Sequence, residues 1–175
     1  MIHIRKRQET VTSMADVYLS GPIIHTNLRK DDFYRLVIDS LKSRNISVFA
    51  PQFLAPLEPA EIYQRDVSNI RTCDILIGEV SNPSLGVGME IMLAIELGKP
   101  VLLFRNKSAE KLSRMVSGAS GIALVEYENL DEVREFIGRV DLKSLVIKSC
   151  PNCTSHIAEK TDDLPRCVLC GYQEG

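Results

Sequence analysis

Two groups of side chains in this sequence have the types and spacing to do chemistry. The first is a pair of carboxylates: Glu90 follows the glycine-rich stretch SNPSLGVG, and Asp66 lies on the expected helix before it. Glycosyl transfer uses such a pair, with one carboxylate attacking the anomeric carbon while another group handles sugar hydroxyls or the leaving group's proton. A helix start close to Glu90 would help keep it ionised and would favour an anionic phosphate nearby. Glutamate near a helix start is also common for capping reasons, and spacing alone does not separate the two readings. The second group is cysteine. Cys150 and Cys153 form one Cys-x-x-Cys knuckle, and Cys167 and Cys170 form another after thirteen intervening residues. Four thiolates so spaced suit a tetrahedral, structural Zn2+ site, with Gly171 relieving the turn after the second pair. Zinc deaminase chemistry needs a His-x-Glu ahead of the cysteine pair, and none lies there.

Other chemistries lack their parts. The three histidines, His3, His25 and His156, all fall outside the glycine-rich unit, so a Ser-His-Asp or Cys-His arrangement would have to recruit a loop or terminal residue. No G-x-x-x-x-G-K-S/T is present, and no dinucleotide fingerprint follows the first expected strand. Cys73 stands at the entrance to an apolar strand and reads as a small core residue.

The elements that must position the carboxylates centre on one βαβ unit, Asp74 to Phe104. Ile75, Leu76 and Ile77 read as a strand buried on both faces. Ser84 or Gly86 can cap the helix that follows, and Gly86 and Gly88 let a ligand approach the backbone. That helix is apolar nearly all round and is expected to be mostly buried, with Glu90 near its first turn. Gly98, Lys99 and Pro100 stop it, and Val101 to Phe104 supply the next parallel strand by a right-handed crossover. Ligands of open α/β sheets bind at the carboxyl ends of the strands, which here means the loop from Glu79 to Gly88.

Around this unit the pattern predicts strands at Asp16–Ser20, Ile46–Ala50 and Ile122–Val125, and helices at Arg29–Arg44, Glu61–Thr72, Ala109–Val116 and Leu130–Val140. Tyr63 and Asp66 share a face of their helix, with Tyr63 expected to pack and Arg65 and Arg71 to point outward. Pro51 to Pro59, with three prolines, is read as a loop above a strand end. Gly21-Pro22 ends the first strand in a turn able to place Ser20 beside a phosphate or sugar. The fold class is α/β, a doubly wound five-stranded parallel sheet in a Rossmann-like three-layer sandwich, plus a small C-terminal zinc ribbon. The expected organisation is a basic arm over 1–15, an α/β domain over 16–144 and the ribbon over 145–175. Chelation is expected to loosen the ribbon and leave the α/β core folded.

The chain has 175 residues, 45% of them hydrophobic and 25% charged, enough for one proper core and a small appendage. A net charge of −2 gives no support for broad binding to nucleic acid or an anionic membrane. In the tail, Lys148, Lys160 and Arg166 are offset by Glu159, Asp162, Asp163 and Glu174, which leans against strong nucleic-acid binding and makes a ribbon that props a dimer or covers a site at least as good a reading. The apolar runs fall short of a membrane span, and MIHIRKRQETVTSMA lacks the apolar core of a secretory signal. A cytoplasmic location is expected, where cysteines are thiols or metal ligands.

SNPSLGVGMEIMLAIELGKPVLLF, preceded by YQRDVSNIRTCDILIGEV, resembles the nucleoside 2-deoxyribosyltransferase superfamily, and in particular its 2′-deoxynucleoside 5′-phosphate N-hydrolases, from about Tyr18 to Ile137. The resemblance implies that Glu90 is a nucleophile forming a glycosyl-enzyme intermediate and that Asp66 is the second active-site carboxylate. It likewise implies that Tyr18 and Gly21 lie under the sugar, that Ser84 and Gly86 belong to a phosphate loop, and that Ser113 in KLSRMVSGA reaches the substrate phosphate across a homodimer interface. Two features depart from the N-hydrolases. GPIIHTNLRK replaces their glycine- and arginine-rich turn and looks more like the transferase branch, leaving His25 or Arg29 to replace the phosphate arginine. Met89 and Ile91-Met92 flank the nucleophile in place of the usual aromatic and small residues. The implied function is hydrolysis of a (deoxy)nucleoside 5′-monophosphate to free base and sugar 5-phosphate, without a catalytic cofactor. The alternatives are a nucleoside 2-deoxyribosyltransferase and a non-catalytic nucleotide-binding protein whose ribbon engages a partner.

Overall fold

The computed structural model describes residues 16–24 and 27–173. The expected basic arm over 1–15, and His25, lie outside the described residues. Five strands, β1 (Val17–Ser20), β2 (Val48–Phe49), β3 (Ile75–Glu79), β4 (Val101–Asn106) and β5 (Ile122–Tyr127), form an all-parallel sheet in the order β2-β1-β3-β4-β5. This is the doubly wound sheet that the alternating pattern predicts. The order reverses between β1 and β3, so a crevice opens at their carboxyl ends, where Ser20 pairs with Gly78.

Helices cover both faces. α1 (Asp31–Lys42) and α5 (Leu130–Arg139) pack on one face, where Phe33, Val37, Phe136 and Ile137 meet Leu19, Ile77 and Phe104. α2 (Pro59–Thr72) and α3 (Leu85–Glu96) pack on the other, where Ile70, Val87, Ile91 and Ala94 meet Tyr18, Leu76 and Leu103. Burying such side chains fully contributes about 1.5–3 kcal/mol each, which fixes the two helix layers and with them the site.

Several elements differ from the sequence reading. β2 is two residues long because Asn45, at φ 55°, turns the chain, and the Ile46 amide bonds back to the Leu41 carbonyl while its side chain enters the core. Of the helix expected over 109–116 only α4 (Arg114–Ser117) forms. The Arg105 guanidinium binds the carbonyls of Ala109 and Glu110, holding that stretch out of helical geometry. α2 starts earlier than expected, at Pro59, behind a capping box of Glu58 and Glu61. Pro51–Phe53 is a 3-10 turn rather than open loop, tied down by the Gln52 amide nitrogen donating to the Leu19 carbonyl at 2.9 Å. α3 is not mostly buried: Val87, Ile91 and Ala94 face the sheet, whereas Leu85, Met89 and Met92 are exposed at 91%, 62% and 44%.

The chain ends in a three-stranded antiparallel sheet, β6 (Leu145–Ile147), β7 (Ile157–Glu159) and β8 (Arg166–Cys167), which carries the cysteine knuckles. It does not hang free. Ile157 and Val168 are buried in the same apolar cluster as Phe136 and Ile137, the His156 amide donates to the Ile122 carbonyl at 2.8 Å, and Arg139 reaches the Val168 carbonyl. The tail thus supplies part of the wall of the core that α1 and α5 build.

Candidate functional site

The site is built where β1, α2 and α3 converge at the crevice. Tyr18 and Ser20 are two apart on a strand, so their side chains leave the same face. Both hydroxyls point at Glu90. The Tyr18 phenol donates to Oε1 at 2.8 Å, and the Ser20 hydroxyl makes a short bond to Oε2. Each carboxylate oxygen thus has its own O–H donor, which fixes the rotation of the group. Glu90 is the sixth residue of α3, in its second turn rather than near its first. The helix terminus consequently does not hold it ionised as expected. Burial instead pushes its pKa up to about 7, against the lowering effect of the Ser20 and Tyr18 hydrogen bonds, while the nearby Asp66 charge raises it and Arg65 lowers it. Burial, with the Glu90 and Asp66 charges added, drives the Tyr18 phenol far above its ordinary range, so it remains a proton donor to the carboxylate.

Asp66 sits on the inward face of α2, 8% exposed, and accepts from Arg65 Nε at 2.8 Å. Arg65 does not point outward as expected. Its guanidinium lies 5.7 Å from the Phe49 ring centroid, and Phe49 stacks on Tyr18 with centroids 5.5 Å apart. A continuous wall of Arg65, Phe49 and Tyr18 therefore borders the two carboxylates. Tyr63 is 58% exposed and does not pack, although Asp66 and Ile70, three and seven residues on along the same face of α2, are buried.

The remaining expected site residues fall around this centre. Gly21 is buried at the end of β1, where a Cβ would come within 2.1 Å of the Tyr34 hydroxyl, so no larger residue fits unless Tyr34 moves. Ser84 is the N-cap of α3, its hydroxyl accepting from the Val87 amide, and Gly86 lies in the first turn, where a Cβ would meet only the Ser84 hydroxyl, at 4.0 Å. Ser113 is exposed at the start of α4 and makes no capping bond. Arg29 is engaged by Asp31 at 2.9 Å and by the Gln52 carbonyl at 3.1 Å.

Three participants were not legible as such. The Gly21-Pro22 turn predicts Ser20 beside a phosphate or sugar; in the structure it holds Glu90, a role that its two-residue spacing from Tyr18 allows. Arg65 was read as surface. Glu79 emerges only in three dimensions. It is fully buried on the α1/α5 side, accepting from the Tyr127 hydroxyl at 3.0 Å and from the amide and hydroxyl of Ser81, and burial raises its pKa. Ser81 in turn accepts from the Asn106 amide at 2.8 Å, so this network ties down the root of the loop that leads to Ser84.

The four cysteines of the tail come together with all Sγ atoms within 4.8 Å of one another. Cys150 and Cys170 are 3.6 Å apart and Cys153 and Cys167 3.5 Å, far beyond a disulfide bond and close to the ~3.8 Å edge of a tetrahedron with 2.3 Å metal–sulfur bonds. The amides of Asn152 and Ser155 donate to Cys150 and Cys153, as is usual around metal thiolates. The donor set and spacing fit Zn2+.

The family model described as Nucleoside 2-deoxyribosyltransferase matches residues 17–149. The chain is 48% identical over 60 residues to the 5-hydroxymethyl-dUMP N-hydrolase of Mus musculus, covering 34% of this chain and 35% of that protein. It is 37% identical over 95 residues to a Thermofilum pendens protein carried under the provisional name 2′-deoxynucleoside 5′-phosphate N-hydrolase 1, covering 50% of this chain and 66% of that one. The matches thus span between about a third and two thirds of these relatives. Among solved structures, the CMP N-glycosidase of Clostridium botulinum superposes with a TM-score of 0.54 at 20% identity, over 68% of this chain and 95% of that one. The 2-deoxyribosyltransferase of Bacillus psychrosaccharolyticus does so with 0.56 at 21% identity, over 73% and 93%. Both share the fold. Among the described residues no helix is long and apolar enough to cross a membrane.

Proposed function

This chain belongs to the nucleoside 2-deoxyribosyltransferase family, and from that premise we propose that it is an enzyme that hydrolyses the N-glycosidic bond of a (deoxy)nucleoside 5′-monophosphate. The observation that carries the reading is Glu90, a carboxylate held by Tyr18 and Ser20 at the switch-point crevice of the sheet. Glu90 attacks C1′, the bond to the base breaks with its electron pair leaving on the base nitrogen, and a glycosyl ester forms on Glu90. Water then attacks C1′, and its oxygen becomes the sugar hydroxyl as Glu90 departs as carboxylate. Whichever of the two oxygens stays out of the new bond remains hydrogen-bonded by its own donor, Tyr18 or Ser20, through both steps. Asp66, held by Arg65, orients the sugar and takes the proton from the attacking water. Gly21 lets the sugar close on the strand end, while Ser84 and Gly86 at the start of α3 receive the phosphate.

We assign the exposed Ser113 to the phosphate site of a second copy in a homodimer, where the open apolar surface of Met89, Met92 and Met115 would be covered. Zn2+ at Cys150, Cys153, Cys167 and Cys170 supplies a structural cross-link of the tail and takes no part in the reaction. The test is a screen of nucleoside 5′-monophosphates for released base and sugar 5-phosphate, run with and without a second free base. Base release that needs no acceptor supports the proposal; a new nucleoside formed only with added base identifies a transferase; neither product from any monophosphate overturns the enzymatic reading.

A further inference from the structure

Arg65 stands next to the carboxylates, and its contacts say more than that it holds Asp66. Its Nε is 2.8 Å from Asp66 Oδ1, and the same guanidinium rests over the Phe49 ring at 5.7 Å. Phe49 is itself stacked against Tyr18, whose hydroxyl holds Glu90. A surface arginine paired with a neighbouring acid would be free to swing; this one is pinned by a ring on one side and by a buried acid on the other. We propose that Arg65 is a positioning residue that fixes Asp66 beside the nucleophile and balances the negative charge that Asp66 places next to Glu90. The proposal rests on the reading of Glu90 as nucleophile.

Two carboxylates close together cannot both ionise easily, and a phosphate-bearing substrate adds further negative charge. One fixed cation resolves this. Among the described residues, the titratable and charged groups that act on Glu90 are Tyr18 from β1 and Asp66 and Arg65 from α2, and of these Arg65 carries the positive charge. Its planar guanidinium can lie flat on Phe49 while its Nε bonds sideways to Asp66, a geometry that lysine reproduces only in charge.

The test uses the full-length zinc-loaded protein with carbon-13 in its glutamate side chains, the Glu90 signal being assigned by its loss in Glu90→Gln. Arg65→Gln should move the Glu90 titration midpoint up by about half a unit or more, because removing an adjacent cation disfavours the anion. Arg65→Lys should restore most of that shift. Asp66→Asn, which removes the like charge and leaves Arg65 unopposed, should move the midpoint down. Where Arg65→Gln does not fold, Asp66→Asn carries the test. A midpoint unchanged in folded Arg65→Gln, or unchanged in Asp66→Asn, overturns the proposal. The titration reads the charge balance without any turnover, so it stands apart from the screen for base release. If base release occurs, Arg65→Gln should also shift the acid limb of its pH profile upward, whereas a loss equal at every pH would mark Arg65 as structural only.

Discussion

Tyr18 and Glu90, 72 residues apart in the chain, meet through a 2.8 Å hydrogen bond from the phenol to Oε1. The bond links β1, next to the switch point of the sheet, to the helix beyond the glycine-rich turn across the crevice. With Ser20 on the other oxygen, it aims a carboxylate that burial has already made hard to ionise. The two hydroxyls thus set the position of Glu90, while burial sets its protonation against their lowering effect.

The first consequence is a pH dependence. Glu90 must be ionised to attack, and burial lifts its pKa to about 7. kcat/KM for base release should therefore rise with pH through about 7 and level off above it. Tyr18→Phe and Ser20→Ala each remove a donor that favours the anion, so both should move this limb to higher pH. A flat profile from pH 5 to 9 in the unmodified protein would contradict the assignment.

The same burial costs stability. Between the ordinary value of 4.5 and about 7 the folded chain binds the Glu90 proton more tightly than the unfolded chain, so stability falls as pH rises through that window. Glu90→Gln carries no charge and should melt higher than the unmodified protein at pH 8, by up to about 3 kcal/mol, with the gap closing toward pH 4. Thermal melts across that range check it; a variant less stable at pH 8 would show that the lost hydrogen bonds outweigh the relieved desolvation.

Much of this arrangement was legible in the residues themselves. Strand, glycine-rich turn and helix around Glu90 are local, and so are the four cysteines, whose spacing in the chain reappears as four clustered sulfurs. The errors share a physical origin. The apolar residues of α3 were read as core, yet an apolar helix says nothing about whether a sheet or another surface covers it, and Met89 and Met92 are open. Arg65 was placed outside by its charge, whereas Phe49 and Asp66 give that charge a partner inside. Glu79 depends on Tyr127, 48 residues on, a pairing that only strand order creates.

Metal removal should be felt beyond the tail. Ile157 and Val168 lie in the α1/α5 core, so releasing zinc from the cysteines frees a wall of that core. The purified protein should contain one zinc per chain, and chelation should lower the melting temperature of the whole chain in one transition. Less than about half an equivalent of zinc would count against the site. An unchanged main transition after chelation would show that the tail packs without its metal.

Ser113 tests the assembly. If it completes the neighbour's phosphate site, Ser113→Ala should raise KM for a monophosphate severalfold, leave kcat nearly unchanged, and barely alter activity on the unphosphorylated nucleoside. Sedimentation at assay concentration should show a dimer. A fully active monomer would remove both the partner serine and the covered face of α3.

The nucleophile itself is decided by chemistry on Glu90. Glu90→Gln keeps the shape and an acceptor for Tyr18 but removes the negative charge that meets the oxocarbenium-like transition state, so the rate should fall on the order of a thousandfold or more while monophosphate binding persists. Asp66→Asn should also be slow, though it retains the nucleophile and should still form the glycosyl ester. A 2′-fluoro nucleoside monophosphate destabilises that transition state in both steps, so its ester should accumulate. Mass spectrometry of the denatured protein should then find one sugar phosphate added to the peptide that contains Glu90, absent in Glu90→Gln and present in Asp66→Asn. Near-normal turnover by Glu90→Gln would remove Glu90 from the chemistry and leave the crevice as a site that binds nucleotide without cleaving it.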